Sequence, residues 1–523
     1  MGSINKGWLK VLGVIGVIFF LLFVLIPSVY VLLYPLKDWK SIESVIFNRP
    51  TFSLILQSLA FSFKVAFCVT LFDLFLGILT AWVLARYDFW GKTAVKALIK
   101  LPLSVPTSAL GFSVVYFWLQ TGLSFSPFLL VALVHLAFSS PYIIGSLVVA
   151  FEELNLSSEE AARVLGASSL TAARTVTLPL IKERIALGTI LTFARSLSET
   201  GATIIALTTI GSRLKTAPVL IASWKQTSGT AQFMAVAVVI SAILILISWF
   251  LFLMVKHLSG KTGAPCLFYQ PKLEHFLSRK SASNFKNILV FSLLTVVIII
   301  PSFFILSRFR LLPLDEDSLL IDSLISSILI AVAATIINLI SGLFLAFLIA
   351  RSRFRHLNAF LETLVDFPLI IPTSVLGFSL ALYWQGVAAN LPLFVLIILA
   401  HLAFTFPYIV KPLVVAFRNT RSSFEEAARM LGGSPATVFK TVTLPLVVPT
   451  LESSAIMAFT RSLSETGATM SVAPRAITAP VYIVNLVTSG RTNQAAFASV
   501  ILILFSFLFF LVTGKFIKSK SYL

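Results

Sequence analysis

The chain has 523 residues, 58% of them hydrophobic and only 12% charged, with 47 Phe and a mean hydropathy of +0.98. Soluble domains run about 45–50% apolar and about 25% charged, so an ordinary soluble globular domain is excluded. The formal net charge of +19 raises nucleic acid as a partner, but its distribution along the chain has another cause, and two distant cysteines, Cys68 and Cys266, suggest no disulfide framework or metal site.

Apolar runs predict twelve membrane spans, near residues 8–34, 54–85, 101–120, 125–150, 185–208, 232–255, 287–307, 319–350, 367–385, 391–417, 446–472 and 496–514. Each is long enough for a bilayer core that takes about 20 helical residues. The expected fold is therefore all-α and integral to the membrane. The first run is too long for a signal-peptide core and has no evident small-residue cleavage site, so it reads as an anchor. With the N-terminus inside, 26 Lys and Arg fall on inside segments and ten on outside loops, while Lys64, Arg195, Lys411 and Arg461 lie within spans. Cytoplasmic loops carry such an excess. The chain is expected to be multi-pass in the plasma or inner membrane with both termini cytoplasmic, and no nucleic acid is needed to explain its charge.

The two halves repeat each other. Pro102, Pro106, Thr107, Gly111, His135, Pro141, Glu160, Gly166, Pro179, Arg195 and Glu199 each have an identical residue 266 positions later. No insertion is needed over about a hundred residues, the mark of a tandem duplication. Six spans per half is an even number, so both halves enter the membrane in the same direction, and transporters place a pathway at such a repeat interface. The expected division is a first repeat at 1–256, a cytoplasmic linker at 257–286 rich in Lys, Arg, Gly and Ser, and a second repeat at 287–523.

Within each repeat three stretches stand out. The first is LPLSVPTSALGFS at 101–113 and FPLIIPTSVLGFS at 367–379. Its prolines remove helix hydrogen bonds, so Pro106 and Pro372 mark either a kink made for packing or a binding or gating region. The second is EEAARVLGASSLTAARTVTLPL at 159–180 and EEAARMLGGSPATVFKTVTLPL at 425–446. Ser157 with Glu160, and Ser423 with Glu426, have capping-box spacing. Gly166 and Gly432 are placed to stop the short helix, and Ser434-Pro435 reads as an N-cap with proline at the first position of a second one. The segment holds no nucleophile–base pair and no metal-ligand spacing, so it suits docking better than chemistry. The third is ARSLSETGAT at 194–203 and TRSLSETGAT at 460–469. Arg195 and Glu199, like Arg461 and Glu465, lie four apart on one helix face at bilayer depth. Such charges face a bundle interior or a water-filled cavity, where they fix packing, line a path, or both. Gly201 and Gly467 permit close approach or a break. Asp73 and Asn338 are corresponding polar residues in apolar surroundings, and His135 and His401 read as satisfied core histidines.

The second stretch resembles the EAA loop of permease subunits of ATP-binding-cassette importers. The residues that carry the resemblance are Glu160, Ala161, Ala162, Gly166, Leu178 and Pro179, repeated as Glu426, Ala427, Ala428, Gly432, Leu444 and Pro445. In that family the loop is a coupling helix seated in a groove of the cytoplasmic ATPase. The resemblance implies that one chain replaces the usual pair of permease subunits. It also implies two ATPase subunits inside and one extracellular or periplasmic substrate-binding protein outside. The chain is not itself expected to be an enzyme or to carry a cofactor. A phosphate-binding loop needs G-x-x-x-x-G-K-[ST], and Gly260-Lys261-Thr262 and Gly91-Lys92-Thr93 have Val255 and Arg86 where the first glycine belongs. The rival class is a secondary transporter of the major-facilitator type, which RYDFWGK at 86–92 resembles faintly; that class has no glycine-broken docking segment between spans four and five. The S-x-x-E-x-G-A-T stretch is similar to permeases for molybdate, tungstate and sulfate, with Ser198, Ser464, Thr200 and Thr466 departing from the usual pattern. The tandem fusion is more like permeases for ferric iron and thiamine. The oxyanion reading is preferred, because it rests on residues along the path. Arg213, Lys215, Arg475 and Arg491 in the outside loops suit an anion's approach.

Overall fold

A backbone in hydrocarbon has no water to bond, so it must bond to itself, and helices or closed barrels are the structures that do so. A computed structural model describes residues 7–103, 105–224, 231–258, 271–308, 318–388, 390–474 and 478–520 of the chain, and among them there are helices and no strand. Lys261, Cys266 and Arg475 lie outside the described residues.

Among the described residues nine helices are long and apolar enough to cross a bilayer. Arg355–Ile370 and Thr373–Val387, bent by 106°, together make a tenth. The expectation of twelve spans is thus met only in part. The run at 101–120 is a tight turn at Leu101–Leu103 followed by Thr107–Gln120, with the separate short helix Lys92–Lys100 before it. Fourteen residues rise only about 21 Å, less than the bilayer's apolar thickness. Pro106 (φ −57°, ψ 132°) and Pro372 (φ −54°, ψ 134°) adopt an extended conformation just before the next helix and re-aim the chain. The run at 185–208 splits into Lys182–Leu197 and Gly201–Thr209, and the run at 446–472 into Leu444–Leu463 and Gly467–Val472. Both breaks fall on Ser-Glu-Thr, where polar side chains are at hand to bond the freed backbone. Pro141 and Pro407, by contrast, stay inside the long helices Pro127–Glu153 and Leu393–Asn419.

The halves exchange their first helices. Gly7–Phe19 packs on Ser318–Arg351 of the second half: a Cβ on Gly13 would meet Leu348 at 2.8 Å, and one on Gly16 would meet the Ser341 carbonyl at 3.0 Å. Helices associate in lipid by such close approach of small residues, since lipid tails are as apolar as leucine. Phe20 stacks on Phe406 with ring centroids 5.3 Å apart. Further along, Ser379 enters the helical ladder itself. Its hydroxyl accepts from the Val31 N–H at 3.0 Å and donates to the Pro27 carbonyl at 2.7 Å, replacing the bond those two groups would make in an unbroken helix. Ser113 does the same between Ile305 N–H (3.0 Å) and Pro301 carbonyl (2.7 Å). Each half therefore holds the other's first helix by one serine inserted at an opened turn. The third helices are pinned centrally: a Cβ on Gly111 would overlap Ala202, and one on Gly377 would overlap Ala468.

Ser113→Ala and Ser379→Ala each leave a buried N–H and a buried carbonyl without their partner, a loss of about 1–2 kcal/mol. The double variant is expected to lower the thermal midpoint of the purified protein in detergent more than either single change. A double variant melting like the parent would show that apolar packing alone holds the exchanged helices.

Candidate functional site

Residues 157–178 fold as the helix Ser157–Val164, a glycine turn, Ser169–Ala172 and a wide turn Ala173–Thr177. The second copy is Ser422–Met430, Pro435–Val438 and Phe439–Thr443. Gly166 (φ +93°) and Gly432 (φ +86°) end the first helices in the left-handed region. Ala167 N–H closes on Ala162 O at 3.1 Å, and Gly433 N–H on Ala428 O at 3.0 Å, the paired bonds that satisfy a helix C-terminus. Ser168 and Ser434 cap the next turns, each accepting from an N–H three residues on at 3.2 Å. The expected capping boxes do not form. Ser157 already lies inside the first helix and its N–H is taken by Asn155 Oδ1 at 3.0 Å. The second helix begins at Ser422, one residue before Ser423.

Of the paired glutamates, the sequence pointed to the second, and the structure distinguishes the first. Glu160 and Glu426 are exposed, as are Ala161 and Ala427, while Ala162, Ala428, Leu178, Pro179 and Leu444 are half-buried and Pro445 is exposed. Glu159 is buried and accepts from Arg86 and from Thr177 Oγ1, both at 3.1 Å. Glu425 repeats this with Arg351 at 2.9 Å and Thr443 Oγ1 at 3.2 Å. Arg86 and Arg351 end the long helices Arg49–Arg86 and Ser318–Arg351, so each segment is wired to a membrane helix by one ion pair. At the tip of each segment two large apolar side chains face outward: Val164 and Leu165 are 87% and 88% exposed, Met430 and Leu431 90% and 89%. Neighbouring apolar groups so exposed, at equivalent places in both halves, mark a contact surface.

The third stretch brings the halves together. Arg195 pairs with Glu199 at 2.8 Å and Arg461 with Glu465 at 3.0 Å. Both pairs border one cleft together with Thr107, Thr373, Ser198, Thr200 and Thr466. The cleft encloses about 10 Å³, no more than the space a single water needs, so it is closed. A Cβ on Gly201 would meet Thr466 of the other half at 2.8 Å, and one on Gly467 would meet Thr200 and Thr373 hydroxyls at 2.8 and 2.9 Å. The glycines are thus the crossing points of the two repeats. Pro106 and Pro372 stand immediately before the lining residues Thr107 and Thr373. All eight residues singled out for a path, Pro106, Pro372, Arg195, Glu199, Gly201, Arg461, Glu465 and Gly467, converge at this crossing.

The breaks beside the cleft are stitched by side chains. Glu199 Oε1 accepts from Ala202 N–H at 3.1 Å and Glu465 Oε1 from Ala468 N–H at 3.0 Å. His135 bridges each break's two sides through Ser196 and Thr203, both at 2.8 Å, and His401 through Ser462 (2.7 Å) and Thr469 (2.9 Å). Both ring nitrogens of each histidine are occupied, as a satisfied core histidine requires. Arg195 lies over the Phe138 ring at 4.8 Å and Arg461 over Phe404 at 5.5 Å. Asp73 accepts from Ser139 and Ser140, and Asn338 donates to Leu402 O and Thr405 Oγ1 at 3.0 and 2.9 Å. Among the loop cations, Arg213 and Arg491 are exposed, whereas burial lowers the pKa of Lys215, which donates to Ser223 at 3.4 Å.

Glu159→Ala removes the charged partner of Arg86, leaving it the Phe151 carbonyl, and is expected to cost about 2 kcal/mol, near the value of a charged hydrogen bond, whereas Glu160→Ala stays within about 0.5 kcal/mol as an exposed change does. Thermal midpoints of the two variants, with limited proteolysis of residues 157–178, distinguish them. Equal effects would remove Glu159 from its anchoring role.

A family model described as "Binding-protein-dependent transport system inner membrane component" matches residues 74–262 and again 342–519. The chain is 33% identical over 212 residues to the molybdenum transport system permease protein ModB of Haemophilus influenzae, covering 37% of this chain and 91% of that protein. It is 33% identical over 236 residues to the molybdate/tungstate transport system permease protein WtpB of Pyrococcus abyssi, covering 44% of this chain and 94% of that one. With the sulfate transport system permease protein CysT of Salmonella typhimurium it shares 31% over 202 residues, 36% of this chain and 71% of that protein. Nearly a whole relative thus fits into less than half of this chain, and the chain belongs to the family of binding-protein-dependent transport system inner membrane components, a multi-pass permease carrying the family's domain twice.

Proposed function

We propose that the chain is the fused transmembrane permease subunit of an ATP-driven importer for a small oxyanion of the molybdate, tungstate and sulfate class. Two ATPase subunits dock on the inner face, one at residues 157–178 and one at 423–444, and a single extracellular or periplasmic binding protein delivers the anion from outside. Both termini are then cytoplasmic, the repeats are 1–256 and 287–523 joined by an inside linker at 257–286, and the broken helices complete twelve crossings. ATP is hydrolysed by the partner. The observation that carries the reading is the pair of equivalent segments, each with two exposed apolar side chains at its tip and a buried glutamate holding a membrane helix. The cargo class rests on the relatives' names and on the chemistry of the cleft.

The mechanism follows from what the segments are tied to. An ATPase that draws its two subunits together moves Leu165 and Leu431 towards each other. The Glu159–Arg86 and Glu425–Arg351 pairs pass that displacement to Arg49–Arg86 and Ser318–Arg351. The chain also runs from each segment into Lys182–Leu197 or Leu444–Leu463, whose last turn carries Arg195 or Arg461. Separating these helices opens the Gly201–Thr466 and Gly467–Thr200 crossings. The opened cleft presents hydroxyl donors and two guanidinium groups, and oxyanions accept hydrogen bonds at every oxygen. Glu199 and Glu465 neutralise the arginines when the cleft is empty, so no net charge is left buried at bilayer depth.

The test is reconstitution of the chain with its ATPase and binding protein in vesicles, with uptake of molybdate, tungstate and sulfate measured. Uptake is expected to require ATP and to fall more than about tenfold in a Leu165→Asp, Leu431→Asp variant, because a charge at a packed interface costs over 1.4 kcal/mol. The exposed positions leave the chain's own thermal midpoint unchanged. Uptake that proceeds without ATP would instead establish a secondary transporter.

A further inference from the structure

The linker does more than join the halves. The helix Pro271–Leu277 lies against the first docking segment. Glu274, 6% exposed, accepts from Arg174 Nε at 2.5 Å and from Thr171 Oγ1 at 2.7 Å, and Ser278 Oγ accepts from Leu170 N–H at 3.2 Å. The exchange of first helices explains the placement. Lys280–Leu294 begins the helix that packs on the first half, so the chain entering it must pass beside residues 168–174. Two open grooves result, of about 580 and about 620 Å³. One is walled by Glu160, Arg163 and Val164 on the segment and by His275, Ser278 and Arg279 on the linker. The other places Lys272 and Arg279 across from Leu165 and Gly166. Lys272, His275 and Arg279 are all exposed. Among the described residues no helix covers 435–438 of the second segment in this way, and Lys440, standing where Arg174 stands in the first, is exposed.

We infer that the linker helix is part of the first docking site and not of the second. It adds a cationic rim to the apolar tip Val164–Leu165, so one ATPase subunit is held there by acidic groups as well as by its apolar groove. The two ATPase subunits, even when identical, are then bound unequally. The occupant is the ATPase of the proposed function, on which this inference rests, because the rim is continuous with the tip that such a subunit must cover. Its surface facing the linker is acidic, since the groove walls carry Arg163, Lys272 and Arg279 against Glu160 alone.

The test places a photo-crosslinking amino acid at position 164 or at position 430 of the full chain co-expressed with its ATPase, and measures crosslink yield at each. A Lys272→Glu, Arg279→Glu variant is expected to lower the yield at 164 by about tenfold, as reversing rim charges slows encounter and adds repulsion, and to leave the yield at 430 within about twofold. Glu274→Ala, which frees the linker helix, should act in the same direction at 164 only. Yields that do not change, or that fall equally at both positions, would overturn the inference and leave the docking reading standing. An unsubstituted chain that crosslinks to the ATPase at neither position would overturn both.

Discussion

A helix broken within a membrane exposes backbone groups that lipid cannot bond, and the protein must supply partners for each of them. The centre of this molecule is built around two such breaks, at Ser198–Thr200 and Ser464–Thr466. At each, a glutamate side chain turns forward to the amide of the next helix, and that glutamate then needs a cation. The arginine one turn earlier answers it. A histidine from a neighbouring helix ties the two sides through hydroxyls. Arginine, serine, glutamate, threonine and glycine in this order are therefore one unit. Removing any member strands another, which is why the same order occurs in both halves. The break also sets the glycine at the start of the new helix, and that lets the two repeats cross closely enough to seal the cleft.

The same arithmetic of buried charge governs the inner end. An Arg–Glu pair is a poor source of stability when it can be replaced by apolar packing, but breaking one by removing a single partner is costly. Such a pair is suited to holding a movable part at one fixed point. Arg86–Glu159 and Arg351–Glu425 connect a short segment, otherwise exposed, to the end of a helix of more than thirty residues. Force applied at Leu165 or Leu431 acts on a stiff lever with little local slack, because the glycine turn and serine cap fix the segment's shape. On the proposed function, nothing at the cleft needs to touch the docking partner. The chain connects them, through one ion pair and one continuous run of backbone per half.

Much of this was legible in the residues. Apolar runs and the repeat gave the helical membrane architecture, and the Arg–Glu pairs that converge on the cleft were visible as charges where charges are expensive. Gly166 and Gly432 showed as helix stops because few other residues tolerate a positive φ. What could not be read was tertiary. Four predicted spans are split because Pro106, Pro372 and the Ser-Glu-Thr breaks re-aim the chain, and hydropathy registers composition, not direction. Glu160 drew attention as the motif residue, but Glu159 makes the contact, since tertiary packing turns its face of the helix toward Arg86 and Thr177. The Arg86 and Arg351 partners were a usable signal, each lying at the end of a long run at nearly the repeat spacing. The exchange of first helices left no trace in periodicity: Ser113 and Ser379 look like ordinary small residues until the opened turns at Pro27 and Pro301 are in place.

Duplication within one chain also separates what must be symmetric from what need not be. The cleft keeps its residues nearly unchanged in both halves, since each half supplies one wall of the same crossing. Away from it the halves diverge. Asp73 accepts hydrogen bonds where Asn338 donates them, so an acid that must be matched by two serine hydroxyls in one half is replaced by an amide that binds a carbonyl in the other. The linker exists once, and the exchange of first helices fixes it beside the first segment. Two separate subunits of one sequence could not make that distinction, because every change would appear twice. A fused chain can keep a symmetric crossing at its centre and still differ between its two inner segments.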